Sequence, residues 1–484
     1  MLLQSINNLY IYNHRSKCIF PLHPAIARFA LEARKENEID LKKIEQELAK
    51  DYSKKEINLL YHQYLFFKEL SFFEADIHRI YGIAGTEWAR ESFNSVRHIV
   101  FEVTEGCNLQ CTYCAYGDFY LNRGERKGNV MDFALAKKLL LHFIPIWKAE
   151  ATKNTTMQIS IGFYGGEPLL NFELIAQIVD FCESLGFKKD FFRFGMTTNG
   201  LLLKKYQDFL IDKNIHISVS LDGNKENNSY RILKTGENSF DEIINNINSI
   251  KEKNKEYFEK NIDFIAVIHD KNSMEQVINF IKEKFGKLPS LSPLSTDDIA
   301  PQKKEEFDKM YKEIMSDISS DFVLNLSDNE VGKYDLLSYL RKNCQHLFEY
   351  FTSIYNAGKK MPILPTGTCV PFTRRLFLSA EGKILSCERI SINHAFGKVE
   401  ESNEIALDFK TIVDYFNNTI SQYKDECLNC YNKNSCGLCA FRCSEDKCEE
   451  FMTEKDFIER MAYYLSLVEQ YPHLYNYTKN LVTG

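Results

Sequence analysis

Between residues 98 and 285, short apolar runs alternate with amphipathic stretches, and this alternation restricts the fold more than any other feature of the chain. The runs His98–Val103, Gln158–Tyr164, Phe192–Thr197, His216–Leu221 and Asp263–Ile268 read as strands. Helical periodicity fills the intervals near 132–146, 171–185, 202–213, 239–253 and 273–285. Strands that alternate with helices imply a parallel sheet, here a full or partial β/α barrel. Chemistry in such folds collects beyond the carboxyl ends of the strands.

The cysteines are the second constraint. Of 14, three lie within 107–114 and eight between 369 and 448; only Cys18, Cys182 and Cys344 stand alone. Clustering of this kind favours metal ligation over disulfides, and the three isolated residues read as structural thiols. A net charge of −7 gives no support to nucleic-acid binding. No apolar run is long enough for a membrane span, and Met1-Leu2-Leu3-Gln4-Ser5 does not open a signal peptide, so a cytoplasmic protein is expected.

Glu105-Gly106-Cys107-Asn108-Leu109-Gln110-Cys111-Thr112-Tyr113-Cys114 follows the first strand of the alternating region. One short loop can hold three corners of a cubane cluster through Cys107, Cys111 and Cys114, leaving the fourth iron open to a substrate. Structural zinc is the competing reading, but it requires four ligands. Gly165-Gly166-Glu167-Pro168 ends the second strand; its glycines permit close backbone approach, and its carboxylate can accept from an ammonium group. Thr197-Thr198-Asn199-Gly200 and Ser220-Leu221-Asp222-Gly223 end the third and fourth, and both are turn sequences in their own right.

The Cys107 triplet resembles the signature of the radical S-adenosylmethionine (AdoMet) superfamily. The resemblance implies a [4Fe-4S] cluster whose open iron chelates AdoMet, and homolytic cleavage to a 5′-deoxyadenosyl radical. It places Tyr113 against the adenine, although a plain packing role is also open. Gly165, Gly166 and Glu167 look like the family's GGE motif, with Glu167 on the AdoMet amino group. The stretch Ser218 to Asp241 resembles the subgroup that modifies peptides, which makes Asn199, Ser220 and Arg231 candidates for the ribose and carboxylate.

Downstream, Cys369 and Cys387 precede Cys427-x2-Cys430-x5-Cys436-x2-Cys439-x3-Cys443-x4-Cys448. This pattern resembles the SPASM auxiliary-cluster domain and implies two further [4Fe-4S] clusters, three in all. By that analogy Cys369 and Cys387 help to hold one cluster, completed from the later block. Cys427, Cys430 and Cys436 hold the other with a late cysteine such as Cys448; Cys439 and Cys443 stay unallocated. Paired zinc ribbons are the alternative. Glu388, directly after Cys387, matches the position of a proton-accepting carboxylate in related sulfatase-modifying enzymes; it could equally pair with Arg389 at the surface.

The expected fold is α/β: a partial (β/α)6 radical SAM barrel with an N-terminal winged-helix-like recognition module and a C-terminal cysteine-rich SPASM domain. The divisions are 1–92, 93–290, a bridge at 291–368, 369–450 and a helix within 451–484. In the first, strands at Tyr10–Tyr12 and Cys18–Phe20 are followed by helices at Pro21–Ala33, Asp40–Leu48 and Lys54–Leu70. In the bridge, helices are expected at Lys303–Ser316 and Tyr334–Phe348. The N-terminal layout looks like leader-recognition elements, which take up an extended peptide as an added strand.

These features lead to a maturase of a ribosomally made precursor peptide with a leader sequence, reduced by a flavodoxin or ferredoxin. A cysteine thioether is the first choice of product, ahead of a carbon–carbon or ether crosslink. The competing readings are an anaerobic sulfatase-maturating enzyme, a small-molecule dehydrogenase and a non-enzymatic zinc or iron–sulfur interaction protein.

Overall fold

The computed structural model describes residues 1–13, 18–36, 39–70, 72–73, 84–121, 127–296, 299–312, 371–372, 375–400, 405–433, 436, 438–441, 448, 451–470 and 472. Cys344, Cys369, Cys443 and the helix expected at Tyr334–Phe348 lie outside the described residues. The chain divides into two units, Met1–Ile83 with Lys333–Thr368 and Asn418–Gly484, and Ala84–Gly332 with Cys369–Asn417.

In the first unit, β1 (Leu2–Gln4), β2 (Leu9–Asn13) and β3 (Cys18–Pro21) form an antiparallel sheet in the order β1-β2-β3. Helices α1 (Pro24–Glu36), α2 (Leu41–Leu48) and α3 (Lys54–Glu69) follow. Side chains alternate along a strand, so neighbouring residues serve opposite faces. Ile11 joins Ile26, Phe29, Ile44, Ile57 and Tyr64 of the three helices. Tyr12 and Leu3 pack instead on Phe457, Met461 and Leu465 of the helix Glu454–Gln470. That helix therefore shares a core with the N-terminal sheet. Ser53 and Glu56 close a reciprocal capping box at the start of α3, worth about 1 kcal/mol.

The second unit opens with α4 (Thr86–Asn94) and holds the alternating region. Strands β4 (His98–Thr104), β5 (Ile159–Gly165), β6 (Phe192–Thr198), β7 (His216–Ser220), β8 (Ile262–Ile268) and β9 (Pro289–Pro293) lie parallel in that order. Between them run α5 (Phe133–Lys153), α6 (Phe172–Ser184), α7 (Leu203–Asp212), α8 (Phe240–Lys253), α9 (Lys255–Asn261) and α10 (Met274–Phe285). The expected strands and helices are all present. β9 is additional. It is not among the expected strands; proline is tolerated at a sheet edge, and β9 is an edge strand.

One face of this sheet is sealed by helices through Ile99, Phe101, Ile161, Phe163, Ile217 and Phe264. The other is lined by small and polar residues, among them His98, Ser160, Gly162, Gly195, Thr197 and Ser218, around a cavity of about 1270 Å³. Helix α11 (Lys304–Met310) occupies part of the span expected at Lys303–Ser316. Beyond it, β10 (Leu376–Leu378) pairs in parallel with β4, and β11 (Lys383–Leu385), β12 (Gly397–Val399) and β13 (Ile405–Leu407) extend the sheet antiparallel. Strands β10 to β13 thus belong to the same sheet as β4 to β9, whereas Cys427 to Cys448 fall in the first unit. Cys182 is buried in the barrel core, as expected for an isolated structural thiol. No helix among the described residues is long and apolar enough to cross a membrane.

Candidate active site

The three-cysteine loop leaves the end of β4 and is stitched to its neighbours on both sides. On one side, Gly166 N donates to Thr104 O and Glu167 N to Gly106 O, both at 2.9 Å. A Cβ on Gly165 would stand 2.1 Å from Thr104 O, and one on Gly166 2.1 Å from Gly106 O. Gly165 also has a φ of +140°, so only glycine fits there. On the other side, Gln110 N donates to Ile232 O at 2.8 Å and Thr112 N to Tyr230 O at 3.1 Å.

Cys107, Cys111 and Cys114 are half-buried, and the Cys114 sulfur lies close enough to raise the thiol pKa of both Cys107 and Cys111. Burial pushes Cys111 up to about 12, opposed by the Arg231 guanidinium beside it. Leu109 N donates to Cys107 Sγ at 3.4 Å, and Asn199 Nδ2 lies 3.8 Å from the same sulfur. Among the described residues, no three His, Cys, Asp or Glu side chains converge at the distances of a single metal ion. A cubane makes no such demand, because its thiolates bind separate irons at separate corners. Thiols on one loop, N–H donors aimed at sulfur and a neighbouring cation suit an anionic cluster.

Glu167 is fully buried. Its Oε1 accepts from Leu169 N at 3.1 Å and Thr198 Oγ1 at 2.8 Å, and its Oε2 from Asn199 N at 2.8 Å. Burial pushes its pKa up, and the three donors oppose that. Asn199 also donates to Asn108 Oδ1 at 2.7 Å. Ser220 ends β7 on the less buried face of the sheet. Tyr113 is buried with its hydroxyl on Asp222 Oδ2, and Arg231 Nε reaches the same oxygen at 3.0 Å. The structure thus brings together Cys107, Cys111, Cys114, Gly165, Gly166, Glu167, Asn199, Tyr113 and Arg231. It adds Asp222, which the turn-like Leu221-Asp222-Gly223 run did not single out.

Glu388 lines the cavity near the start of β4. Arg375 Nη1 donates to both of its oxygens, at 2.8 and 3.0 Å, so its partner is Arg375 and not the adjacent Arg389. His98 lines the same region, its pKa pushed down to about 4 by burial and by Arg375. Further up, Tyr164 and Thr197 carry the cavity wall to within one or two residues of Gly165 and Asn199.

In the first unit, Cys427 and Cys436 are buried, and each feels the sulfurs of Cys430 and Cys448. Burial, followed by those sulfurs, pushes Cys427 up to about 12. Cys448 N donates to Glu426 Oε2 at 2.9 Å. Cys439 is half-buried in the same segment, and Cys387 lies in the barrel unit.

Residues 101–282 match the Radical SAM superfamily. That span is a Radical SAM domain, and the protein is a radical SAM enzyme that uses AdoMet and a [4Fe-4S] cluster. It is similar to the cysteine-type anaerobic sulfatase-maturating enzyme of Clostridium novyi, 24% identical over 370 residues, which are 73% of this chain and 89% of that protein. It is also similar to the radical SAM cyclopropyl synthase TigE of Paramaledivibacter caminithermalis, 25% identical over 167 residues, 34% of each chain. Among solved structures, native anSMEcpe with bound AdoMet aligns with a TM-score of 0.48 at 18% identity, covering 79% of this chain and 99% of that one.

Proposed function

We propose that this radical SAM enzyme modifies a ribosomally made precursor peptide, joining a cysteine sulfur to a carbon as a thioether. The observation that carries this reading is the second thiol site, where the sulfurs of Cys430 and Cys448 bear on both Cys427 and Cys436. Those four residues would hold one auxiliary [4Fe-4S] cluster. Cys369 and Cys387 would help to hold another, with Cys439 and Cys443 unallocated. Bound cofactors supply a 5′-deoxyadenosyl radical at the Cys107 loop and an electron acceptor at the auxiliary sites.

The residues of this chain would divide the remaining work. Glu167 receives the AdoMet amino group, Tyr113 stands on the adenine side, and Asn199, Ser220 and Arg231 serve the ribose and carboxylate. Forming a thioether removes two hydrogens from the peptide: one would leave as an atom to the 5′-deoxyadenosyl radical, the other as a proton, and one electron would leave the peptide for an acceptor. Glu388 takes the proton. It lines the cavity wall near the start of β4, held there by Arg375. The sheet β1-β2-β3, with helices packed on it, supports leader recognition by strand addition. A flavodoxin or ferredoxin would supply the reducing electron. TigE, similar over about a third of each chain at 25% identity, is named for a cyclopropyl product, so a carbon–carbon crosslink is a variant of the same reading.

A second reading, maturation of a sulfatase, is favoured by the Clostridium novyi relative, which aligns along 89% of its own length. Intact-mass analysis separates the two. The enzyme, AdoMet and dithionite are incubated anaerobically with any short cysteine-containing peptide found encoded beside its gene, and separately with a sulfatase peptide. Loss of two hydrogens and one free thiol per event in the precursor is expected. An unchanged precursor beside an oxidised sulfatase peptide would overturn the first reading.

A further inference from the structure

We infer that Asp222 is a positioning residue of the radical site, holding Tyr113 and Arg231 on one carboxylate so that the cysteine loop and its neighbouring cation keep a fixed relation. The inference rests on the radical SAM assignment and not on the identity of the peptide substrate.

Asp222 lies just beyond β7 and is completely buried. Its Oδ2 accepts from the Tyr113 hydroxyl and from Arg231 Nε, and its Oδ1 from Val267 N on β8 at 2.9 Å. Its main chain is held as well. Asp222 N donates to Asn228 Oδ1 at 3.2 Å, and Asn272 Nδ2 donates to Asp222 O at 3.2 Å and Val267 O at 2.9 Å. The His269 ring stands 3.9 Å from Oδ2 and packs beside Tyr113. A carboxylate with this many fixed neighbours is not a surface turn residue.

The contacts close a ring. Gln110 N and Thr112 N bond to Ile232 O and Tyr230 O, the carbonyls on either side of Arg231. Between those two bonds the Arg231 side chain turns inward to Asp222, and Tyr113 turns inward from the loop to the same oxygen. Ser239 Oγ fixes the Arg231 carbonyl at 2.7 Å. The loop is therefore held to 230–232 along the backbone and, through Asp222, by side chains. Cys111 and Cys114 bracket Tyr113, so any slip of Tyr113 moves both sulfurs. The guanidinium clamped in this ring is the cation that bears on Cys111. Buried charges act strongly at short range, so Asp222 and Arg231 should bias the cluster with opposite signs.

The test uses the reconstituted full-length protein and its variants Asp222→Asn, Arg231→Gln and Tyr113→Phe, compared at equal iron content. The readouts are the midpoint potential and the AdoMet-dependent part of the EPR spectrum of the reduced cluster, with the AdoMet Kd. Asp222→Asn removes a negative charge and should raise the potential, whereas Arg231→Gln should lower it. Tyr113→Phe keeps both charges, so it should leave the potential nearest to the parent while raising the AdoMet Kd about threefold to tenfold, the range of one hydrogen bond. General disruption of the loop would not produce shifts of opposite sign. Shifts in the same direction, or parental potentials and Kd in all three, would overturn the inference. If Asp222→Asn is not recovered folded, the contrast between Arg231→Gln and Tyr113→Phe decides: equal potentials in those two would overturn it.

Discussion

Thr198 and Glu167 meet at 2.8 Å, hydroxyl to carboxylate, across the ends of the adjacent strands β5 and β6. With Asn199 N and Leu169 N they turn the Gly-Gly-Glu run into a buried joint between two strand ends and the cysteine loop. Glu167→Ala would leave two buried N–H groups and a hydroxyl without this acceptor, at about 2–5 kcal/mol. Glu167→Gln keeps one acceptor oxygen and should be affected less. Urea unfolding of the two variants measures the difference, and both should bind AdoMet more weakly than the parent.

His98 gives the barrel a pH dependence of known sign. Its folded pKa, about 4, lies below the ordinary 6.5, so the unfolded chain takes up the proton first. The contribution is fully present above pH 6.5 and is lost as pH falls through 6.5 towards 4, by up to about 3 kcal/mol. His98→Asn should flatten the fall in Tm between pH 7 and pH 5. An unchanged slope would remove His98 as its source.

The proposed role of Glu388 separates the proton step from the radical step. Glu388→Gln should cut product formation by about 100- to 10,000-fold, the usual range for a general base, while AdoMet cleavage continues. Arg375→Ala leaves the carboxylate without its bidentate partner and should lower product formation less. Full product formation by Glu388→Gln would return the residue to a structural ion pair.

Phe457 tests the recognition role proposed for the first unit. The ring is fully buried and stands 5.3 Å from that of Tyr12 on β2. Phe457→Ala should cost about 3–5 kcal/mol and loosen the sheet. Hydrogen exchange in β1–β3 should rise and precursor affinity fall, with AdoMet cleavage in the absence of peptide unchanged. Parental precursor affinity in a demonstrably loosened sheet would remove that role.

The strands and helices of the barrel were legible because period-two and period-3.6 patterns are local. Pro289 and Pro293 hid β9, because a proline-bracketed polar run has the composition of a loop. The partners in the site were not legible for a different reason: Tyr113 and Asp222 are 109 residues apart, and nothing local to Leu221-Asp222-Gly223 distinguishes a buried acceptor from a turn. Arg375 was missed as the partner of Glu388 because Arg389 is adjacent in sequence; the antiparallel hairpin of β10 and β11 brings the more distant arginine across. The helix Glu454–Gln470 read as a separate closing element, since a helix's amphipathic face does not say which sheet it covers. The cysteine triplet needed no tertiary information, because the spacing of its thiols is itself the chemical requirement.

The most direct test of the account is 5′-deoxyadenosine formation by the reduced, reconstituted protein and by the triple variant Cys107→Ala, Cys111→Ala, Cys114→Ala. The parent should convert AdoMet to 5′-deoxyadenosine and methionine, and the variant should form none while keeping iron at the remaining cysteines. 5′-Deoxyadenosine from the triple variant at the parental rate would contradict the assignment of the radical site to this loop.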